Sequence, residues 1–232
     1  SSRDLKQLGG DAEPSTLMFA KFSPDGSQVA YVRERNIYVE HLDNGTIRKI
    51  TETPTPEVIN GTFDWVYEEE LGLRDGYRWS PDGKLIAYWR IDTTGVHKFP
   101  LVNNTVGMYP EVQWFAYPKT GQQNPICQIR WINLEDSSQG TVKFDETQMQ
   151  PGDKDERDHY IARMDWLPTT RDEPQALGFQ RLNRLQNTNR VWFAAATHRD
   201  DVSSGAVEFL ATPQLVEKDD AWIDVNDEMF FT

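Results

Sequence analysis

Two stretches of this chain are near-copies of one another, and that repetition restricts the fold more than any other feature. FSPDGSQVAYVRERNIYVEHL at 22–42 and WSPDGKLIAYWRIDTTGVHKF at 79–99 share one template. It reads aromatic, Ser-Pro-Asp-Gly, one spacer, then an apolar run with Ala-Tyr at matched positions. Proline presets φ for a turn, and the glycine after aspartate accepts the positive φ that such turns require. The runs SQVAYV and KLIAYW are short, β-branched and aromatic, as strands are. In the first copy, Arg35-Asn36 offers a second turn before the strand 37–39. Asp43-Asn44-Gly45 offers a third before an outer strand at 46–50. Four short antiparallel strands in about fifty residues is the signature of one β-propeller blade. A β-sandwich with similar turns is disfavoured, because the whole motif repeats.

A degraded third copy is expected at 164–182, MDWLPTTRDEPQALGFQRL, with Trp166 as the aromatic, Pro168 in the turn and 177–179 in the strand. Between the copies, 112–117 and 126–134 read as two strands around a Pro/Gly/Asn turn. Residues 150–160 read as a charged loop, and 189–198 with 206–216 as a further strand pair. The fold class is therefore all-β: a partial β-propeller of about three to four consecutive four-stranded antiparallel blades. Closed propellers need at least four blades, so the chain is expected to form an open arc, as one part of a single propeller domain spanning 1–232.

Several function classes are excluded or weakened. The formal net charge of -13 argues against nucleic acid and anionic membrane surfaces as partners. The single cysteine, Cys127, allows no internal disulfide and no thiolate cluster, and reads as a buried structural thiol. No G-x-S-x-G elbow, phosphate loop or H-E-x-x-H pair is present, so no catalytic residue, metal ligand or cofactor is assigned. His41, His97, His159 and His198 read as ordinary surface or packed residues. Asn44, Asn60 and Asn103 head sequons, which matter only in a eukaryotic secreted protein.

One stretch, expected between two blade hairpins where a plain propeller has only a short connection, does not fit a plain sheet protein. FDWVYEEELG at 63–72 places Glu68, Glu69 and Glu70 behind Phe63, Trp65 and Tyr67. One reading is an exposed helix start, with Asp64 as N-cap and the acids complementing the helix dipole. The other is a cation site: adjacent carboxylates on a short helical turn repel one another unless a cation sits between them. An ammonium group, with three donors and a charge, fills that role. Trp65 and Tyr67 would anchor the turn to the blade. From the residues alone, both readings stay open.

The segment VINGTFDWVYEEELGL followed by WSPDGKLIAYWRID resembles the propeller of the dipeptidyl peptidase IV family. The likeness continues through YPKTGQQNP at 117–125, HYIARMDWL at 159–167 and QRLNRLQN at 180–187, while GLRDGY at 72–77 departs from the family pattern. The family joins an eight-bladed propeller to an α/β-hydrolase domain. Its members are serine peptidases that release N-terminal dipeptides with Pro or Ala second, usually as dimers. The resemblance implies a short helical insertion in which Glu69 and Glu70 bind the substrate ammonium and Glu68 gives support. It further implies a catalytic triad on a hydrolase domain absent from this chain, a homodimer when full length, and a periplasmic, secreted or membrane-anchored extracellular setting. The alternative is a non-catalytic propeller used as a binding or interaction module.

Overall fold

A computed structural model of the protein describes residues 5–149, 157–168, 174–198, 207–227 and 229. Strands β1 (Met18–Phe22), β2 (Gln28–Arg33), β3 (Asn36–His41) and β4 (Ile47–Lys49) form an antiparallel sheet in chain order. In the second sheet, β5 (Val58–Asn60) and β6 (Tyr77–Trp79) both pair with β7 (Leu85–Asp92), and helix α1 (Trp65–Leu71) lies between them in the chain. A hairpin of β8 (Lys98–Asn103) and β9 (Glu111–Ala116) precedes β10 (Ile126–Asn133) and β11 (Gln139–Thr141), which complete that sheet. The third sheet carries β12 (Lys143–Phe144) in parallel beside β16 (Val207–Lys218). It continues through β15 (Thr188–His198) and β14 (Ala176–Asn183) to β13 (His159–Trp166). These are three blades of a partial β-propeller.

The repeated sequence makes repeated bonds. In the first turn the Ser23 hydroxyl donates to Asp25 at 2.6 Å, and in the second the Ser80 hydroxyl donates to Asp82 at 2.6 Å. Gly26 and Gly83 take φ of 72° and 73°, as the template requires. The tryptophans that open the second and third copies have a further use. Trp79 Nε1 donates to Lys21 O at 3.2 Å and Trp166 Nε1 donates to Arg78 O at 3.1 Å. Each tryptophan thus stitches its first strand to that of the preceding blade, one residue before the matching aromatic. The third copy is therefore a true repeat at Trp166, although part of its turn lies outside the described residues.

Strand β7 explains why the second copy is continuously apolar. Leu85, Ala87, Trp89 and Ile91 enter a core shared with the third blade, while Ile86 and Tyr88 enter a core shared with the first. A strand packed on both faces has no polar side to show.

Three local expectations are corrected. The first-copy hairpin turns at Glu34 and Arg35, both with positive φ (50° and 61°), and not at Arg35-Asn36. Two left-handed residues supply the twist that a two-residue hairpin needs. Residues 112–117 and 126–134 do not pair together. β9 pairs with β8 and β10 pairs with β7, because the whole β8–β9 hairpin is inserted between neighbouring strands of one blade. The acidic segment does not lie in a connection between blade hairpins; it interrupts the first strand of the second blade. Most of the charged stretch 150–160 lies outside the described residues. Among the described residues no helix is long and apolar enough to cross a membrane.

Candidate functional site

Residues 61–76 leave the blade and return to it at one point. Gly61 N donates to Trp89 O at 3.1 Å and Trp89 N donates to Gly76 O at 3.0 Å, so β5 and β6 continue one ladder on either side of the excursion. Gly76 N closes the neck on Gly61 O at 2.9 Å. No side chain fits there: a Cβ on Gly76 would lie 2.7 Å from Gly61 C and 2.9 Å from Thr62 N.

Helix α1 has seven residues, too few to be stable by itself, so its caps and packing hold it. Asp64 is the N-cap, and its Oδ1 accepts from Tyr67 N at 3.3 Å. Gly72 ends the helix at φ 66° and donates its N–H to Tyr67 O. Phe63, Tyr67 and Leu71, spaced by four, fall on one face and enter the core shared with the third blade. Tyr67 stacks on Phe63 at 5.6 Å, and its hydroxyl accepts from Ile161 N at 3.2 Å. Beneath it, buried Cys127 faces the Tyr67 hydroxyl, and burial pushes its thiol pKa up to about 12. That suits a packing residue and not a reactive one.

Because one face is committed to the core, the acids turn outward. Glu68 is half-buried, and Glu69 and Glu70 are exposed. Among the described residues, no ion pair involves any of the three. Glu70 borders a cleft of about 510 Å³ whose walls include Trp65, Lys119, Tyr160, Arg184 and Trp222. Trp65 does not join the blade core with Phe63 and Tyr67. It packs on Tyr117 at 4.3 Å, and Tyr117 in turn meets Phe99 and Phe115 at the base of the β8–β9 hairpin. Tyr117 and the glycine neck were missed in the sequence. The available signal was a pair of glycines, Gly61 and Gly76, bracketing the acidic segment.

Among the histidines, His41 and His97 are exposed. His159 is buried, with Nε2 at 3.3 Å from Cys127 O and Nδ1 at 3.1 Å from Arg181 Nη2. The His198 side chain lies outside the described residues. Among the described residues, no group of three His, Cys, Asp or Glu is placed to hold a metal ion.

Burial of Asp64, at 6% exposure, has a measurable consequence. Its carboxyl is pushed up to about 6, chiefly by desolvation and further by the nearby Glu68 charge, against the Tyr67 N–H that favours ionisation. Between about pH 4 and 6 the unfolded chain ionises this group while the folded one keeps it protonated. Asp64 thus supports folding below its unfolded pKa, and that support is lost as pH rises through about 6. Asparagine caps as well as aspartate and carries no charge. Asp64→Asn is therefore expected to gain stability relative to the wild type as pH is raised from 4 to 7, measured as melting temperature against pH; parallel curves would refute this.

Comparison with known proteins settles the family. The sequence profile of the dipeptidyl peptidase IV N-terminal region matches residues 2–232. This chain belongs to the dipeptidyl peptidase IV family. Its curated relatives include dipeptidyl peptidase 4 of Trichophyton tonsurans, 32% identical over 216 residues, which cover 90% of this chain and 25% of the relative. Dipeptidyl peptidase 4 of Arthroderma otae is 33% identical over 181 residues, covering 75% and 22%. The crystal structure of Porphyromonas gingivalis dipeptidyl peptidase 4 superposes with a TM-score of 0.69 at 29% identity, over 90% of this chain and 26% of that one. The chain spans about a quarter of the length of these dipeptidyl peptidase IV relatives.

Proposed function

We propose that this chain is the substrate-anchoring part of a serine-type dipeptidyl peptidase, in which Glu69 and Glu70 bind the free N-terminal ammonium of a peptide. The observation that carries this is a pair of exposed carboxylates without an ion pair among the described residues, on a helix fixed to the blade at both ends, in a chain of this family. Two carboxylates held this way recognise a cation with several donors through charge-assisted hydrogen bonds. The site would work as a ruler: fixing the terminus sets which peptide bond reaches the nucleophile, so that X-Pro or X-Ala dipeptides are released. The remaining blades of an eight-bladed propeller and an α/β-hydrolase domain bearing the triad complete the enzyme. The test compares an X-Pro chromogenic substrate with its N-acetylated form in the full-length protein. The free amine should be strongly preferred, and Glu69→Ala or Glu70→Ala should abolish the preference. Unchanged discrimination in both variants would overturn the assignment.

The full-length enzyme is proposed to be a homodimer, and the β8–β9 hairpin supports this. Val102, Val112 and Trp114 share one face of it at 53%, 53% and 62% exposure, and among the described residues the two strands pair only with each other. An isolated hairpin with an apolar face is marginal in water and favours a covering surface. Trp114→Asp is expected to weaken dimerisation of the full-length protein at least about tenfold, since it puts a charge in the middle of such a face. Sedimentation at micromolar concentration would show this, and an unchanged dimer would count against the hairpin.

A further inference from the structure

We propose that Arg163 is a positioning residue for the Glu69–Glu70 pair, acting from the neighbouring blade by holding the far end of helix α1. The inference rests on the proposed ammonium site and adds to it a residue outside the acidic motif.

Strand β13 is irregular. Its register with β14 runs Ile161↔Arg181 and then Arg163↔Gln180, which leaves Ala162 as an extra residue. Such a bulge reverses the side-chain alternation beyond it and leaves local backbone groups without ladder partners. Both effects are visible. His159 and Ile161 are buried before the bulge and Met164 and Trp166 after it, so Arg163 turns to the open face together with Tyr160 and Asp165. The backbone groups of Ile161 are satisfied from outside the strand: its N–H donates to the Tyr67 hydroxyl at 3.2 Å, and its carbonyl accepts from Trp89 Nε1 at 2.9 Å.

The side chain that the bulge re-aims reaches the helix. Arg163 Nη1 donates to Leu71 O at 2.9 Å, a carbonyl of the last turn that has no donor within so short a helix. No basic residue of α1 itself occupies that turn. Arg163 therefore supplies the cation that the negative end of the helix dipole favours. Arg163 Nε donates to Asp227 Oδ1 at 3.0 Å, which fixes the guanidinium from its other side. Leu71 directly follows Glu70, so the bond restrains the carbonyl one residue from the acid that borders the cleft. The bulge thus holds α1 at two points, Tyr67 in its middle and Leu71 at its end. Rotation of the last turn by one residue would re-aim Glu70 by about 100°.

The test uses the full-length enzyme with free and N-acetylated X-Pro substrates. Arg163→Ala is expected to raise KM for the free-amine substrate about tenfold with kcat within about twofold, the cost of one lost charge-assisted hydrogen bond. Its preference for the free over the blocked substrate should fall by a similar factor. Arg163→Lys, which keeps a cationic donor, should restore most of both. If Arg163→Ala does not accumulate folded, Arg163→Gln decides the matter with the same expected direction. A merely structural role would lower melting temperature without changing the free-to-blocked ratio, and that result overturns the proposal, as does an unchanged KM. Glu69→Ala and Glu70→Ala run in parallel. If they abolish the preference and the Arg163 variants do not move it, only the role of Arg163 falls. If the glutamate variants are silent, the ammonium site falls and Arg163 with it.

Discussion

Replacing Glu70 by alanine in the full-length enzyme is expected to lower kcat/KM for X-Pro substrates by about 10- to 150-fold, the worth of one charge-assisted hydrogen bond of about 1.5–3 kcal/mol. Glu69→Ala should cost a similar amount. The double variant should not cost the product of the two, because both acids grip one ammonium group and act as a unit. Folding should survive in each case. Both side chains are exposed, neither enters the core, and removing one relieves like-charge repulsion within 68–70. A variant that loses activity and also unfolds would point to a structural role for the acids. A fully active one would remove them from the substrate site.

Gly76→Ala is expected to have the largest effect on structure. The added methyl meets Gly61 C, Thr62 N and Gly61 O at 2.7, 2.9 and 3.0 Å, all of them backbone, so no flexible side chain can yield. Relief requires the neck to open, which strains the bond from Gly76 N to Gly61 O and those of both glycines to Trp89. Overpacking of this kind costs about 1–3 kcal/mol, and the helix beyond the neck should shift with it. Melting temperature should fall by several degrees and KM for free-amine substrates should rise. Gly72→Ala is the control. Unlike Gly76 it has a positive φ, 66°, and its Cβ would meet nothing within 4 Å, so only the backbone preference, about 1 kcal/mol, is lost. Equal behaviour of the two variants would refute the role given to the neck.

The blades were legible because their determinants are local. Ser-Pro-Asp-Gly sets a turn by φ preferences and a serine–aspartate bond within five residues, and the same residues made the same bonds twice. The N-cap Asp64 was legible for that reason too. Other features were not, because they depend on partners far away in the chain. Nothing near Arg163 announces that it meets Leu71, and nothing in 112–117 says that its partner precedes it and does not follow it. A bulge leaves only a broken alternation, and in β13 that break is hidden because Ile161 and Ala162 are both apolar. Trp65 and Tyr67 look alike in the sequence, yet one packs toward the hairpin and the other into the core. The aromatic that opens each template copy was read only as part of the repeat, and the bonds of Trp79 and Trp166 to the preceding blade became visible only in three dimensions.

The closed neck at Gly61 and Gly76 bears on how such a site can change over evolutionary time. The ladder of β5, β6 and β7 is continuous across it, so the sheet's own hydrogen bonds need from the segment 62–75 only that its ends meet, while the core beneath needs Phe63, Tyr67 and Leu71 in place. The entropy of closing a loop depends weakly on its length, so the outward-facing positions can be rewritten and the loop lengthened without breaking that ladder, provided those three side chains stay. Its outward face can therefore diversify while the blade stays fixed. For protein engineering, the unit to transplant is the segment together with its two glycines, and the receiving blade must offer both a first strand that can be interrupted and an apolar surface for Phe63, Tyr67 and Leu71.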